Sequence, residues 1–70
     1  MAKRTTGVVQ SFDGSKGYGY IHAEDGEEVF VHYSALKDID SPMLFEGEQV
    51  VFFLEQTIRG FQASDVSRLN

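Results

Sequence analysis

Two short runs in this chain alternate so strictly that only one kind of backbone can satisfy them. Lys16-Gly17-Tyr18-Gly19-Tyr20-Ile21-His22 is followed within a few residues by Val29-Phe30-Val31-His32-Tyr33. Strand side chains point to opposite faces with a period of two. Tyr18, Tyr20 and His22 therefore share one face, opposite Gly19 and Ile21. Likewise Phe30 and His32 lie opposite Val29 and Val31. Aromatics suit any half-buried strand, so either run alone reads equally well as core. Together they are more selective. Burying the rings would expose Ile21, Val29 and Val31, and would leave two histidines in need of buried partners. The aliphatic face is thus expected inside and the ring face outside. Stacked rings, with Gly17 and Gly19 leaving the backbone uncrowded and Lys16 nearby, form a platform for flat ligands. The flat ligands that come in rows are nucleobases.

The remaining segments continue the β pattern. Met1 to Arg4 reads as a short basic tail, expected to fray. Thr5 to Phe12, with Val8, Val9 and Phe12, is a first strand, and Asp13-Gly14-Ser15 is turn chemistry. Lys16 to Ala23 and Glu28 to Tyr33 are the second and third strands, joined by a turn whose Asp25-Gly26 is a strong hairpin signal. Ser34 to Lys37 suits a single helical turn, and Asp38 to Phe45 a loop broken by Pro42. A fourth strand, Glu48 to Glu55, places Val50, Phe52 and Leu54 opposite Val51 and Phe53. Thr57 to Gly60 turns, and Phe61 to Leu69 is a fifth strand. Five short strands with no helix of useful length imply an all-β fold, a small barrel closed enough to remove exposed edges.

Seventy residues allow one domain, 1–70, with a core that seldom supplies more than about 3–5 kcal/mol. No cysteine is present, which excludes disulfides and cysteine-based zinc sites. No run approaches the roughly 18 apolar residues of a membrane span. A soluble, cytoplasmic protein without a cofactor is expected. Eleven acids against six bases give a net charge of −5, which argues against purely electrostatic nucleic-acid binding. The acids crowd Glu24 to Glu28 and Asp38 to Glu48, whereas Lys3, Arg4, Lys16 and Arg59 lie outside those blocks. Binding should then depend more on stacking than on phosphate neutralisation. His22 and His32 alone make a poor metal or catalytic set, and no phosphate-binding loop is present, so an enzyme is not expected.

The two runs, read as Lys16-Gly17-Tyr18-Gly19-Tyr20-Ile21 and Val29-Phe30-Val31-His32-Tyr33-Ser34-Ala35, resemble the two ribonucleoprotein motifs of bacterial cold-shock proteins. The likeness extends through Glu46-Gly47-Glu48-Gln49-Val50, Arg59-Gly60 and Gln62-Ala63, and covers about Gly7 to Leu69. An RNA-recognition-motif domain fits less well, since it needs two helices and carries its lysine-glycine-aromatic motif on a late strand. The resemblance implies a five-stranded antiparallel OB-fold barrel that holds single-stranded RNA or DNA and acts as an RNA chaperone, with effects on transcription and translation. Carried over by position, Tyr18, Tyr20, Phe30, His32 and Tyr33 would stack bases. Lys16 and Arg59 would touch phosphate or base edges, and Phe12 would support the platform at its edge.

This chain also departs from the family. Ser11 stands where relatives usually have a stacking tryptophan, and Val8 and Gln10 stand at positions often lysine. The loop aromatic often found before the fourth strand is lost around Ser41-Pro42, unless Phe45 replaces it. Phe61, where relatives often have proline, is a candidate replacement ring; the alternative is a partly exposed packing residue. Val51 and Phe53, at positions usually polar, suggest either an apolar patch on the far side of the barrel or a locally covered pair. A monomer is expected. The rival function is a protein-interaction or dimerising barrel that uses Val51 and Phe53 and has weakened nucleic-acid binding.

Overall fold

The computed structural model describes residues 3–37 and 44–69, with the side chain of residue 3 left out. It contains five strands and one short 3-10 turn. In chain order these are β1 (Lys3–Asp13), β2 (Tyr18–Ala23), β3 (Glu28–His32), η1 (Tyr33–Ala35), β4 (Gln49–Thr57) and β5 (Gly60–Arg68). The expected loop around Pro42 lies outside the described residues. β1 starts at Lys3, inside the segment expected to fray, because Lys3 and Arg4 pair with Leu54 and Phe53 of β4. β2 starts at Tyr18 rather than Lys16, since residues 14–17 form the turn that follows β1.

The strands close into a barrel in the order β1-β2-β3-β5-β4. Four of the five seams are antiparallel, as the sequence suggests. The fifth differs: β3 and β5 run parallel, pairing Val29 with Phe61 and Phe30 with Gln62. Parallel neighbours need a long crossover, and the segment between His32 and Gly60, which includes β4, supplies it. A single parallel bridge between Leu36 and Val66 extends this seam past η1.

The aliphatic face is the interior. Val9, Ile21, Ala23, Val29, Val31, Leu44, Val50, Phe52, Ala63 and Val66 are all essentially inaccessible. No polar side chain is buried among the described residues, so the core consists of apolar contacts alone. Two irregularities set which residues face it. Between Val9 and Ser11 the β1–β2 register shifts and leaves Gln10 as an extra residue. Strict alternation would put Ser11 on the same side as Val9. The bulge instead turns Ser11 outward opposite Tyr20 and Phe12 inward opposite Gly19. A second shift falls between the β4–β5 pairs Val51–Ser67 and Phe53–Ser64. Asp65 sits in this bulge at φ 49°, a left-handed conformation that aspartate tolerates better than most residues.

The β4 pair read from sequence as either an apolar patch or a locally covered pair lies between the two. Val51 and Phe53 are both intermediate in burial, and the Arg4 guanidinium lies 5.9 Å from the centre of the Phe53 ring. One ion pair ties the C-terminal strand to the turn before β4: Arg68 Nε donates to Glu48 Oε2 at 2.6 Å. The other oxygen of that carboxylate accepts from the Phe45 N–H at 2.8 Å. Partial desolvation pushes Glu48 upward, but the Phe45 N–H and the Arg68 guanidinium outweigh it and hold the group below its ordinary 4.5.

Candidate nucleic-acid interface

β2 and β3 pair as three outward-facing rungs, Tyr18 with His32, Tyr20 with Phe30, and His22 with Glu28. The first two rungs are rings throughout. Phe30 lies between two tyrosines, its ring centre 5.7 Å from Tyr18 at a tilt of 33° and 5.9 Å from Tyr20 in an edge-on arrangement. These spacings are those of mutually supporting aromatic pairs, so the rings hold one another in place with part of each face left to solvent. Tyr20 keeps 38% of its surface exposed and Tyr33 keeps 50%.

His32 and Tyr33 extend the surface past the end of β3, with ring centres 4.5 Å apart. Tyr33 belongs to η1 rather than to the strand, and its N–H donates to the Gly17 carbonyl at 2.8 Å. Its ring covers Gly17, where a Cβ would sit 2.6 Å from Tyr33 Cδ2, and Gly17 itself adopts φ +80°. Both features favour a glycine there. The His32 ring is fixed from below. The Ser34 N–H donates to Nδ1 at 3.3 Å, and the Ser34 hydroxyl lies 2.9 Å from the same atom. With Nδ1 accepting from the backbone N–H, a neutral ring would carry its proton on Nε2.

Lys16 is exposed in the β1–β2 turn and lines a shallow depression with Gly14, Ser15, Gly17 and Tyr33. Asp13 shapes this turn. Its Oδ1 accepts from the Ser15 hydroxyl at 2.6 Å, the Ser15 N–H at 3.0 Å and the Lys16 N–H at 3.2 Å. The Ser15 hydroxyl, followed by the Lys16 N–H, keeps the Asp13 carboxyl below its ordinary range. The cation is therefore carried on an ordered turn next to an exposed ring.

At the other end of the middle rung lies a cleft of about 510 Å³ lined by Tyr20, Glu28, Phe30, Thr57, Arg59, Gly60, Phe61 and Gln62. It brings together Tyr20, Phe30, Arg59 and Phe61, four of the candidates named from sequence. Phe12 packs against the core at the rim of the platform. Phe61 packs against the core, as the packing alternative expects, and it also lines the cleft. Its partner in the parallel seam is buried Val29, whereas Gln62 is paired with Phe30 and stands on the platform side. Gln62 and Glu28 are the neighbours that sequence reasoning did not single out as site residues. Glu28 was legible as the residue two before Phe30 on the same strand face. Gln62 was not, because its place depends on the parallel seam. Ser11 is exposed beside Tyr20, so no ring extends the platform across β1 at that position.

Residues 5–69 match the family model described as 'Cold-shock' DNA-binding domain. The chain belongs to the cold-shock domain family. This cold-shock domain is 44% identical over 62 residues to the cold shock protein CspC of Bacillus subtilis, covering 89% of this chain and 94% of that one. It is 47% identical over 60 residues to cold shock protein 1 of Lactiplantibacillus plantarum, covering 86% and 91%. With the cold shock-like protein CspB of Yersinia pestis the identity is 43% over 70 residues, covering 99% and 100%. Among solved structures, drosophila Unr CSD456 superposes with a TM-score of 0.79 at 22% identity, over 97% of this chain and 27% of that one. That likeness establishes the barrel fold. Family membership makes this a nucleic-acid-binding domain.

Proposed function

We propose that this cold-shock domain captures single-stranded RNA or DNA by stacking bases on Tyr18, Tyr20, Phe30, His32 and Tyr33, and so acts as a passive RNA chaperone. The observation that carries the reading is the run of ring contacts from Tyr18 through Phe30 to Tyr20, continued by His32 and Tyr33, outside an entirely apolar core. Every base has a π-face, so such a surface accepts most sequences. A duplex hides those faces in its own stack, and capture therefore favours the open strand. Binding only the open form shifts a weak hairpin toward it by differential affinity, without ATP. Lys16 and Arg59 lie at two edges of the surface, where a backbone crossing the strands would pass.

The test is fluorescence anisotropy with a labelled oligothymidine and a matched duplex across several salt concentrations. Single strands should bind and duplexes should not. Each neutralised phosphate contributes a slope of about −0.7 in log K against log salt, so two cations predict roughly −1 to −2. No single-strand binding at micromolar protein in low salt would overturn the reading.

A further inference from the structure

The cleft between the middle rung and the β4–β5 turn contains more chemistry than stacking requires. Resting on the single-strand reading above, we propose that it is a guanine-selective subsite in which Glu28 reads the base edge. Tyr20 and Phe30 supply ring surface, Phe61 lines the cleft beside them, and Glu28, Arg59 and Gln62 supply polar groups. Glu28 lies two residues from Phe30 on the same face of β3. That spacing is about 6–7 Å along a strand, within reach of the edge of a base stacked on Phe30.

The three polar side chains differ in what they offer. An ionised carboxylate only accepts hydrogen bonds, a guanidinium only donates, and a side-chain amide does both. Among the described residues none of these three side chains is engaged in a hydrogen bond or ion pair. The Thr57 hydroxyl is not available in the same way, since it donates to the Gly60 carbonyl at 2.8 Å and accepts from the Arg59 N–H at 3.1 Å.

A carboxylate beside a polyanion weakens binding unless it meets donors. Uracil and thymine present one N–H between two carbonyl oxygens. The amino groups of adenine and cytosine each sit next to a bare ring nitrogen. Guanine presents two adjacent donors, N1–H and the 2-amino group, which match the two oxygens of one carboxylate. Its O6 lies beside them and suits a donor such as Arg59 or Gln62. Glu28 therefore attracts guanine and repels the acceptor-rich edges of the other bases, and discrimination needs both effects. The two rungs made of rings, Tyr18 with His32 and Tyr20 with Phe30, carry no acid of their own.

The experiment compares labelled heptathymidine with oligomers in which one position at a time is dG, dA, dC or deoxyinosine, by anisotropy at neutral pH. In at least one register dG should tighten binding by about tenfold over thymidine, and dA and dC should give no gain. Deoxyinosine, which lacks the 2-amino group, should lose most of the dG gain. In Glu28→Gln, checked for folding by circular dichroism, the dG-to-dT ratio should fall to about twofold or less. If heptathymidine binds and dG gives no advantage, the subsite is refuted while the single-strand reading stands. A dG preference that persists in Glu28→Gln, or is matched by deoxyinosine, removes Glu28 from the role. If no oligomer binds, the single-strand reading falls and the subsite falls with it.

Discussion

Gly17 and Gly19 flank Tyr18, yet replacing each by alanine should damage different properties. A Cβ at Gly19 would lie 2.1 Å from the Ser11 carbonyl oxygen and 2.6 Å from Phe12 Cα, where ordinary contact begins near 3.4 Å. Both obstacles are backbone, so no rotamer change relieves them. β1 must retreat from β2 beside its bulge, which strains the pairs Ser11–Tyr20, Phe12–Gly19 and Asp13–Tyr18. Overpacking typically costs about 1–3 kcal/mol, and a clash with unyielding backbone belongs at or above the top of that range. A core of this size seldom provides more than about 3–5 kcal/mol, so Gly19→Ala should be close to unfolded at 25 °C. Gly17→Ala meets the Tyr33 ring instead, at 2.6 Å, and keeps a φ of +80°. The left-handed backbone costs about 1–2 kcal/mol, while the half-exposed ring can swing aside. That variant should fold, with Tyr33 displaced from His32 and oligonucleotide binding weakened. Urea denaturation followed by circular dichroism, paired with anisotropy on the folded fraction, separates the two. A Gly19→Ala variant within about 0.5 kcal/mol of the parent would refute the close approach of β1 and β2 on which this reasoning depends.

Phe30→Ala removes the ring shared by both tyrosine contacts, and oligothymidine affinity should fall by about 5- to 150-fold, from a stacking loss of about 1–3 kcal/mol. Arg59→Ala should flatten the salt dependence of binding by about 0.7 in log–log slope, measured by the same titration. Glu48 is held below its ordinary 4.5, so its contribution to stability is complete above that value and is lost as pH falls through the lowered folded value. Thermal melts between about pH 6 and pH 3 should accordingly show a shallower acid decline in Glu48→Gln than in the parent. Phe53→Ser exchanges a half-buried ring under Arg4 for a hydroxyl. Sedimentation should show the same monomer for both proteins if this face is a covered pair, and loss of self-association if it is a dimer surface.

The inside–outside assignment of β2 and β3 was legible because the period of two is strict there and each face has one chemical character. The same rule fails at Ser11. Gln10 is an extra residue in the ladder, and nothing in Val8-Val9-Gln10-Ser11-Phe12 states which position the bulge will occupy. Tyr33 was read as the end of a strand because it follows His32 in an unbroken β pattern. The Ser34 N–H bonded to His32 Nδ1 instead starts a 3-10 turn, a local capping contact that competes with strand continuation. The neighbours of Phe30 across β5 were hidden for a different reason. Roughly half the chain separates Phe30 from Gln62, and a parallel pairing leaves no turn signal between its members. Gln62 comes beside Phe30 only once the barrel has closed.

That closure would give a bound nucleic acid a part in the mechanics of its host. The β3–β5 seam has two registered strand pairs and one bridge beyond them, fewer than any other seam of the barrel, and the cleft containing Phe30 and Gln62 lies across it. A strand seated there would act as a clasp, bridging two edges that the chain itself joins sparsely. Amide protons at this seam should be the first in the barrel to exchange when it is empty, and among the most slowed when it is occupied. The single strand would be opened by the protein while the protein was held shut by the strand.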